Sequence, residues 1–219
     1  MTPPVACGGT LSHAPLPSPD AEPSLMGMPD TAGRGTRDAG GWTREAVLAL
    51  PDDGQRRELL DGELIVTPAP RPLHQIALHR LERALDTVLA SGPLRVLRSP
   101  ADLSLGEEEI LQPDLFVYRR SAGRPLRDWS QITELALVIE VLSPSTARYD
   151  RGLKRRRYQR ARVPEYWIVD LDGQLIERWR PDDDRPEIII QQLRWESGEG
   201  AALELELDVE RFFREVHEE

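Results

Sequence analysis

A chain of 219 residues, 39% of them hydrophobic, is long enough to bury the core of one domain. It contains no run of eighteen apolar residues, which excludes a predicted membrane-spanning helix, and its single cysteine, Cys7, excludes an internal disulfide and a cysteine-based zinc site. The formal net charge of −10 argues against a protein whose whole surface binds nucleic acid.

The N-terminal segment has the composition of a disordered tail. Residues 1–40 are rich in Pro, Gly, Ser and Ala and contain few large apolar side chains, so we expect a tail over 1–40 and a single domain over 41–219. The tail lacks the basic and apolar segments of a secretory signal. With its lone cysteine, the chain is therefore expected in the reducing cytoplasm.

The first elements after the tail carry clear start and turn signals. Thr43 is placed to cap a short helix that ends near Leu50. A hairpin is predicted over 57–67, because an Asp-Gly pair separates two apolar runs there. Residues 72–90 place apolar side chains at three- and four-residue spacing and form the strongest predicted helix.

The remainder of the chain alternates strands with one basic helix, predicted over 147–161. The run from Leu135 to Leu142 is apolar on both faces, which is typical of a central strand covered by helices on each side. Further strands are predicted over 94–97, 102–105, 114–118, 166–171, 174–180, 188–193 and 203–207, with a short helix after Asp208. This order predicts an α/β (α+β) fold with a mixed central β-sheet flanked by helices.

The basic helix concentrates positive charge in an acidic chain. Residues 148–162 hold eight basic side chains and one acid, Asp150, which makes a local charge of +7. Such a patch steers a polyanion to one place. The candidate nucleic-acid contacts are Arg148, Arg151, Arg155 and Arg156. A solvated, arginine-rich helix face without a ligand is the alternative interpretation.

Lys154 is the only lysine in the chain, beside 27 arginines. A lysine that persists in such a composition is a candidate for work that arginine cannot do, because its ammonium is a compact point charge whose pKa can move. Chance survival is one alternative. The other is an exposed ion pair with Asp150, four residues earlier, which is worth only about 0.3–0.5 kcal/mol.

Two carboxylates stand out in the predicted sheet. Glu140 interrupts the apolar central strand, and a buried carboxylate needs a partner. Asp114 begins the preceding strand, so neighbouring strands could bring the two acids together and bind Mg²⁺ through oxygen ligands. The alternatives are a buried ion pair between Glu140 and an arginine, and a turn or cap role for Asp114.

These motifs resemble the Uma-type restriction endonuclease family, which belongs to the PD-(D/E)XK phosphodiesterase superfamily. The resemblance covers about residues 42–175; the tail and the segment after about 180 lie outside it. It rests on Asp114, Glu140-Val141-Leu142-Ser143-Pro144-Ser145, Asp150, Lys154, Tyr158 and Val163-Pro164-Glu165-Tyr166-Trp167-Ile168-Val169-Asp170, with support from the hairpin that carries Glu58 and the helix that carries His74.

The resemblance implies a restriction-endonuclease-like core and hydrolysis of nucleic-acid phosphodiester bonds that depends on Mg²⁺ or Mn²⁺. Asp114 and Glu140 would bind the metal, with Glu58, or else Glu63, as a third acid. Lys154 would orient the attacking water or stabilise charge on the phosphate.

The resemblance assigns supporting roles as well. Tyr158 would contact phosphate or brace Lys154, while Ser143, Asp150 and Tyr166 would support the site. One departure stands out: the superfamily pattern puts its lysine two residues after the acid, where this chain has Leu142. Lys154 serves only if its helix packs over the strand.

Several alternatives stay open at this point. A nucleic-acid-binding or protein-interaction module with the same fold but no cleavage is the second function considered. DNA is favoured over RNA as the partner, no membrane partner is expected, and a homodimer is predicted because single-domain nucleases often cut two strands as dimers. His74, near the start of its helix, is interpreted as a cap or surface residue.

Overall fold

The computed structural model describes residues 41–121, 123–197 and 204–218 of the chain. The predicted disordered tail over 1–40, including Cys7, lies outside these residues. Within the described ranges, no helix combines the length and the apolar character needed to cross a membrane.

The first elements confirm the predicted order. They are α1 (Arg44–Leu48), β1 (Arg56–Leu60), β2 (Glu63–Thr67) and α2 (Pro72–Leu89). The Thr43 side chain accepts a hydrogen bond from the Ala46 backbone N–H and so caps α1. Asp61 and Gly62, with φ angles of 49° and 78°, form the turn between β1 and β2, where an Asp-Gly pair tolerates the left-handed conformation.

A six-stranded mixed sheet forms the centre of the described structure. Its strands lie side by side in chain order: β3 (Leu94–Arg98), β4 (Leu115–Arg119), β5 (Leu135–Val141), β6 (Tyr166–Asp170), β7 (Leu175–Trp179) and β8 (Glu187–Ile189). β5 and β6 are parallel, and every other neighbouring pair is antiparallel. Residues 137–141 of β5 are buried, as the apolar run predicted for a central strand.

Helical layers cover both faces of this sheet, which confirms the predicted fold class. One layer combines α2 with a second hairpin, β9 (Gln192–Glu196) and β10 (Glu204–Asp208), and with α5 (Val209–His217). There Trp167 packs edge to face on Trp195, with ring centroids 6.4 Å apart. On the other face Tyr158 packs on Tyr166, with ring centroids 4.9 Å apart.

Two predicted strands were wrong in detail. The strand expected over 102–105 is a single bridge from Leu103 to Leu111, because the adjacent Ile110 pairs with Leu59 of the β1–β2 hairpin instead. The strand expected over 188–193 is divided between β8 and β9, which belong to different sheets. Apolar periodicity alone cannot locate such a break.

The predicted basic helix exists, but it is not a regular α-helix. It consists of α3 (Ala147–Tyr149), a π-helical turn (Asp150–Lys154) and α4 (Arg155–Arg160). The wider π turn directs both Asp150 and Lys154 into the protein, where each is 1% exposed. Arg151, in the same turn, also points to the sheet: its Nε lies 2.6 Å from Glu177 Oε1 on β7. The turn therefore directs two cations, Arg151 and Lys154, to the sheet.

We predict that Lys154 resists amine-reactive reagents in the folded protein. Because it is the only lysine and is buried, its labelling requires local opening and should be at least about tenfold slower than in denaturant. Glu177→Gln weakens the Arg151 contact, so labelling should become about two- to fivefold faster. Peptide mass spectrometry after timed labelling measures both rates.

Glu187→Gln is the matched control for this measurement. Glu187 lies on β8 and also forms ion pairs, but with Arg178 and Arg180, away from the π turn. Its substitution should leave the labelling rate of Lys154 unchanged. A native labelling rate equal to that of the denatured chain would contradict the buried position of Lys154.

Candidate active site

The register between β4 and β5 places the two predicted carboxylates opposite each other. Leu115 pairs with Ile139, so Asp114, just before β4, faces Glu140. The Asp114 backbone N–H donates to Glu140 Oε2 at 3.2 Å, and the Val141 backbone N–H donates to Asp114 Oδ2 at 2.9 Å. The Asp114 and Glu140 side chains therefore each accept a hydrogen bond from the backbone of the other's strand, and both side chains are buried.

Lys154 reaches this carboxylate pair from the helical layer. Its Nζ lies 3.0 Å from Glu140 Oε1, 2.8 Å from Glu58 Oε2 and 3.3 Å from Asp150 Oδ1. The π turn thus brings the ammonium to the end of β5 although the lysine stands fourteen residues after the acid. The pair with Asp150 exists, but it is buried rather than exposed, and it is one of three.

The structure distinguishes Glu58 from Glu63. Glu58 is buried on β1, and its other oxygen, Oε1, accepts the Gln112 backbone N–H at 2.8 Å. Glu63 is exposed at the start of β2, where it accepts the Tyr149 hydroxyl at 3.0 Å. Asp114, Glu140, Asp150 and Lys154 form a buried cluster of charged side chains, and of the two glutamates only Glu58 belongs to it. Both oxygens of Glu58 already have cationic or N–H partners.

Arg56 is a central member of the cluster that the sequence analysis did not find. Its guanidinium lies 2.5 Å from Asp114 Oδ1, 3.6 Å from Glu140 Oε2 and 3.7 Å from Glu58 Oε2. Arg56 and Glu58 are two residues apart on β1, so their side chains lie on the same face of the strand. That period-two spacing was the available signal, but the 27 arginines of the chain conceal any single one.

His74 is also part of the cluster, and its interpretation as a cap or surface residue was wrong. It is 8% exposed, and its Nε2 lies 3.0 Å from Asp114 Oδ2. The first turn of α2 carries it over the start of β4. Its Nδ1 is buried without a hydrogen-bond partner among the described residues.

Charge balance controls the ionisation of these groups. Burial raises the pKa of Glu140 well above its usual value, and the attraction of Lys154 does not offset this effect. Burial likewise raises the pKa of Asp150. Asp114 is the exception: although burial opposes ionisation, hydrogen bonding from His74 and the charge of Arg56 lower its pKa. Asp114 is thus the cluster's most acidic carboxylate among those with a displaced pKa.

The two basic members are held in the charged state. For Lys154, burial favours the neutral amine, but the carboxylates of Glu140, Glu58 and Asp150 outweigh it and raise the pKa well above its usual value. Burial opposes the charge of Arg56 as well. The nearby carboxylates, Asp114 most of all, outweigh this effect of burial and raise the pKa of Arg56.

The predicted supporting residues Tyr166 and Ser143 make hydrogen bonds next to the cluster. The Tyr166 hydroxyl donates to the Asp150 backbone carbonyl at 3.1 Å, and Ser143 shapes the turn after β5 through contacts with Ser145 and Thr146. Tyr158 is 1% exposed, and its hydroxyl has no hydrogen-bond partner among the described residues. Its ring is packed in the core, so it does not present a surface contact for phosphate.

The basic segment 148–162 is less positive at the surface than its sequence indicates. Four of its arginines form ion pairs with acids from other elements: Arg151, Arg157, Arg160 and Arg162. Arg148 lies over the Tyr149 ring, and Arg155 lies over the Trp179 ring at 4.5 Å. Since Lys154 is buried as well, mainly Arg148, Arg155 and Arg156 remain available to a polyanion.

The facing carboxylates fit a divalent cation in their chemistry. No group of three or more His, Cys, Asp or Glu side chains within the described ranges is arranged as a metal site, and Lys154 and Arg56 form ion pairs with the carboxylates. The adjacent pair of Asp114 and Glu140 nevertheless supplies the one or two carboxylates that Mg²⁺ uses.

Comparisons with known proteins agree with this fold. Two uncharacterized proteins of Synechocystis are similar: one is 27% identical over 62% of this chain and 72% of its own length, the other 24% identical over 68% of this chain and 84% of its own length. The crystal structure of a "putative nuclease" from Anabaena variabilis has the same fold, with a TM-score of 0.67 at 18% identity over 80% of this chain and 98% of that protein.

A family model matches residues 44–210, which include every member of the cluster. The described first strand pair, the sheet and the helical segment with the π turn all lie within that match. The chain therefore belongs to the Uma2 family, which is described as "Putative restriction endonuclease".

Proposed function

We propose that the protein is a metal-dependent endonuclease that hydrolyses nucleic-acid phosphodiester bonds. The observation that carries the proposal is the contact of Lys154 with Glu140, which itself faces Asp114 across the β4–β5 register. Two carboxylates at strand ends, Asp114 and Glu140, together with the ammonium of Lys154, are groups that suit metal-assisted hydrolysis of a phosphodiester. The family description supports the same reaction class.

The side chains divide the work as follows. Asp114 and Glu140 would bind Mg²⁺ or Mn²⁺. When bound, the cation would neutralise charge on the phosphate oxygens and make a nearby water more acidic. Lys154 donates hydrogen bonds that orient the attacking water and stabilise the charge that develops on the phosphate.

The remaining members keep these groups in place. Glu58 holds the Lys154 ammonium at 2.8 Å, so we assign it a positioning role instead of direct metal binding. His74 orients Asp114 through its Nε2. Arg56 compensates the carboxylates in the absence of a cation and lies beside the place where a phosphate would bind.

The non-cleaving module remains the second candidate, and one observation favours it. Arg56 and Lys154 already pair with the carboxylates, so the cluster forms an ion-pair network without any metal. Such a protein would bind nucleic acid without cutting it. The assignments of DNA over RNA and of a homodimer remain predictions.

We predict that cleavage requires Glu140 and the lysine character of residue 154. Glu140→Gln and Lys154→Arg should each reduce cleavage by at least about 100-fold, because removing one group that stabilises the transition state costs about 10²–10³ in rate. Lys154→Arg keeps the positive charge but replaces the compact ammonium with a rigid fork. Gel assays with plasmid DNA, oligonucleotides and RNA in Mg²⁺ or Mn²⁺ measure the effect.

Glu63→Gln is the matched control, since Glu63 lies on the same hairpin as Glu58 but outside the cluster. It should cleave at the wild-type rate. If the wild-type protein binds these substrates and none is cut in either metal, the non-cleaving module replaces the nuclease.

We also predict that the cation and Lys154 compete for the carboxylates. A divalent ion at ten times its Kd should add about 1.4 kcal/mol of stability, which corresponds to about 3–6 °C in Tm. The shift should be smaller in Asp114→Asn and Glu140→Gln. It should be larger in Lys154→Met, because that variant leaves the buried carboxylates without their ammonium.

Thermal melts with Mg²⁺, Mn²⁺ and a chelator read out binding without any need for activity. Glu63→Gln should reproduce the wild-type shift. A wild-type Tm that neither metal changes, together with an unchanged Tm in Lys154→Met, would exclude a metal site at this cluster.

A further inference from the structure

A cavity of about 750 Å³ opens beside the cluster and is not explained by the roles assigned above. Asp114, Arg56 and His74 line it at the cluster side, while Glu140 and Lys154 do not. Its other walls come mainly from α1, the segment 50–55, the start of β1, α2, the segments 98–102 and 110–112, and Trp129. A ligand in this cavity would therefore meet the site through Asp114.

Part of the wall is apolar, which hydrolysis of a phosphate alone does not require. Leu48 lines the cavity although 56% of its surface is exposed, and Trp129 lies in the wall as a half-buried side chain. Trp129 is held edge to face against Phe116, with ring centroids 6.5 Å apart. It begins a 3₁₀ turn that Asp128 and Gln131 close with a capping box, so its backbone is fixed as well.

The charged part of the wall is balanced. The lining contains three arginines and three aspartates: Arg56, Arg57, Arg98, Asp52, Asp102 and Asp114. Arg57 is paired with Asp53 at 2.6 Å, and Arg98 lies 3.5 Å from Glu82. A groove that follows a duplex through its phosphates is strongly basic, and this cavity is not.

We propose that the cavity binds an unpaired nucleotide of single-stranded nucleic acid, with its base stacked on Trp129 and its phosphate beside the guanidinium of Arg56. The volume lies within the range of about 300–1,000 Å³ that accommodates one small organic ligand. In a duplex, the bases stay inside the stack and cannot reach Trp129. Single strands expose every base, and aromatic side chains bind them without regard to sequence.

This inference rests on the proposed function, since it names the substrate class of the same site. It has an independent readout, because base stacking needs neither a metal nor cleavage. Fluorescence anisotropy with labelled single-stranded DNA, single-stranded RNA and the corresponding DNA duplex, in the presence of a chelator, measures binding alone.

Single strands should bind the full chain at least about tenfold more tightly than the duplex, because only a single strand offers an unpaired base to Trp129. Trp129→Ala should weaken single-strand binding by about 5- to 100-fold, the range for loss of one stacked base. Trp129→Phe should restore most of that loss, since it retains an aromatic face. Comparison of the DNA and RNA strands shows which sugar the site accepts.

Leu48→Ala guards against a Trp129 variant that fails to fold. It should weaken single-strand binding by at least about twofold, because an exposed leucine can be truncated without disturbing the core and its wall contact is lost. Ile188→Ala is its matched control: Ile188 is 52% exposed on β8 and does not line the cavity. Its binding should equal that of the wild type.

Equal or tighter binding of the duplex, wild-type affinity in Trp129→Ala, or no binding of any strand would overturn the cavity proposal. Cleavage of duplex DNA together with any of these results would leave the nuclease intact and remove only the single-strand inference. Binding of single strands that depends on Trp129, without cleavage in Mg²⁺ or Mn²⁺, would support the single-strand inference and remove the nuclease proposal.

Discussion

The structure depends on the compensation of four buried carboxylates by two cations. Glu58, Asp114, Glu140 and Asp150 are each at most 4% exposed, and isolated carboxylates at such positions would cost several kcal/mol or take up protons. Lys154 contacts three of them, and Arg56 reaches three. Loss of either cation leaves charge without a partner, and such losses typically cost about 3–5 kcal/mol. Asp114 and Glu140, which face each other across β4 and β5, are the carboxylate pair suited to a divalent ion.

Several elements of the fold bring the members of this cluster together. The β4–β5 register sets Asp114 against Glu140, and the β1–β2 hairpin lays Arg56 and Glu58 across them. The π turn then inserts Lys154 from the helical layer, while Arg151 fastens the same segment to β7 through Glu177. Asp150 and Lys154 lie four residues apart, a spacing that places side chains on one face of a helix, so both enter the cluster from the same turn.

Much of this arrangement could be predicted from the sequence, and the reasons for success and failure are physical. Glu140 was recognisable because a charge in an apolar strand demands a partner, and Lys154 because it is the only lysine in the chain. Arg56 and His74 were missed because both pair with Asp114, which lies 58 and 40 residues away; the period-two spacing of Arg56 and Glu58 indicates a shared face of β1 but not this partner. The charge of segment 148–162 was overestimated for the same reason: the acids that pair with its arginines come from distant parts of the chain.

The proposed nuclease requires a divalent cation at the Asp114–Glu140 pair. Anomalous diffraction from crystals soaked in Mn²⁺ tests this requirement most directly, because it locates the ion without reference to activity. We expect one strong peak within coordination distance, about 2.0–2.2 Å, of an Asp114 oxygen and a Glu140 oxygen, with the Lys154 ammonium displaced from its contact with Glu140. A soaked crystal without a peak at this pair, with Lys154 and Arg56 still bound to the carboxylates, would exclude the metal site.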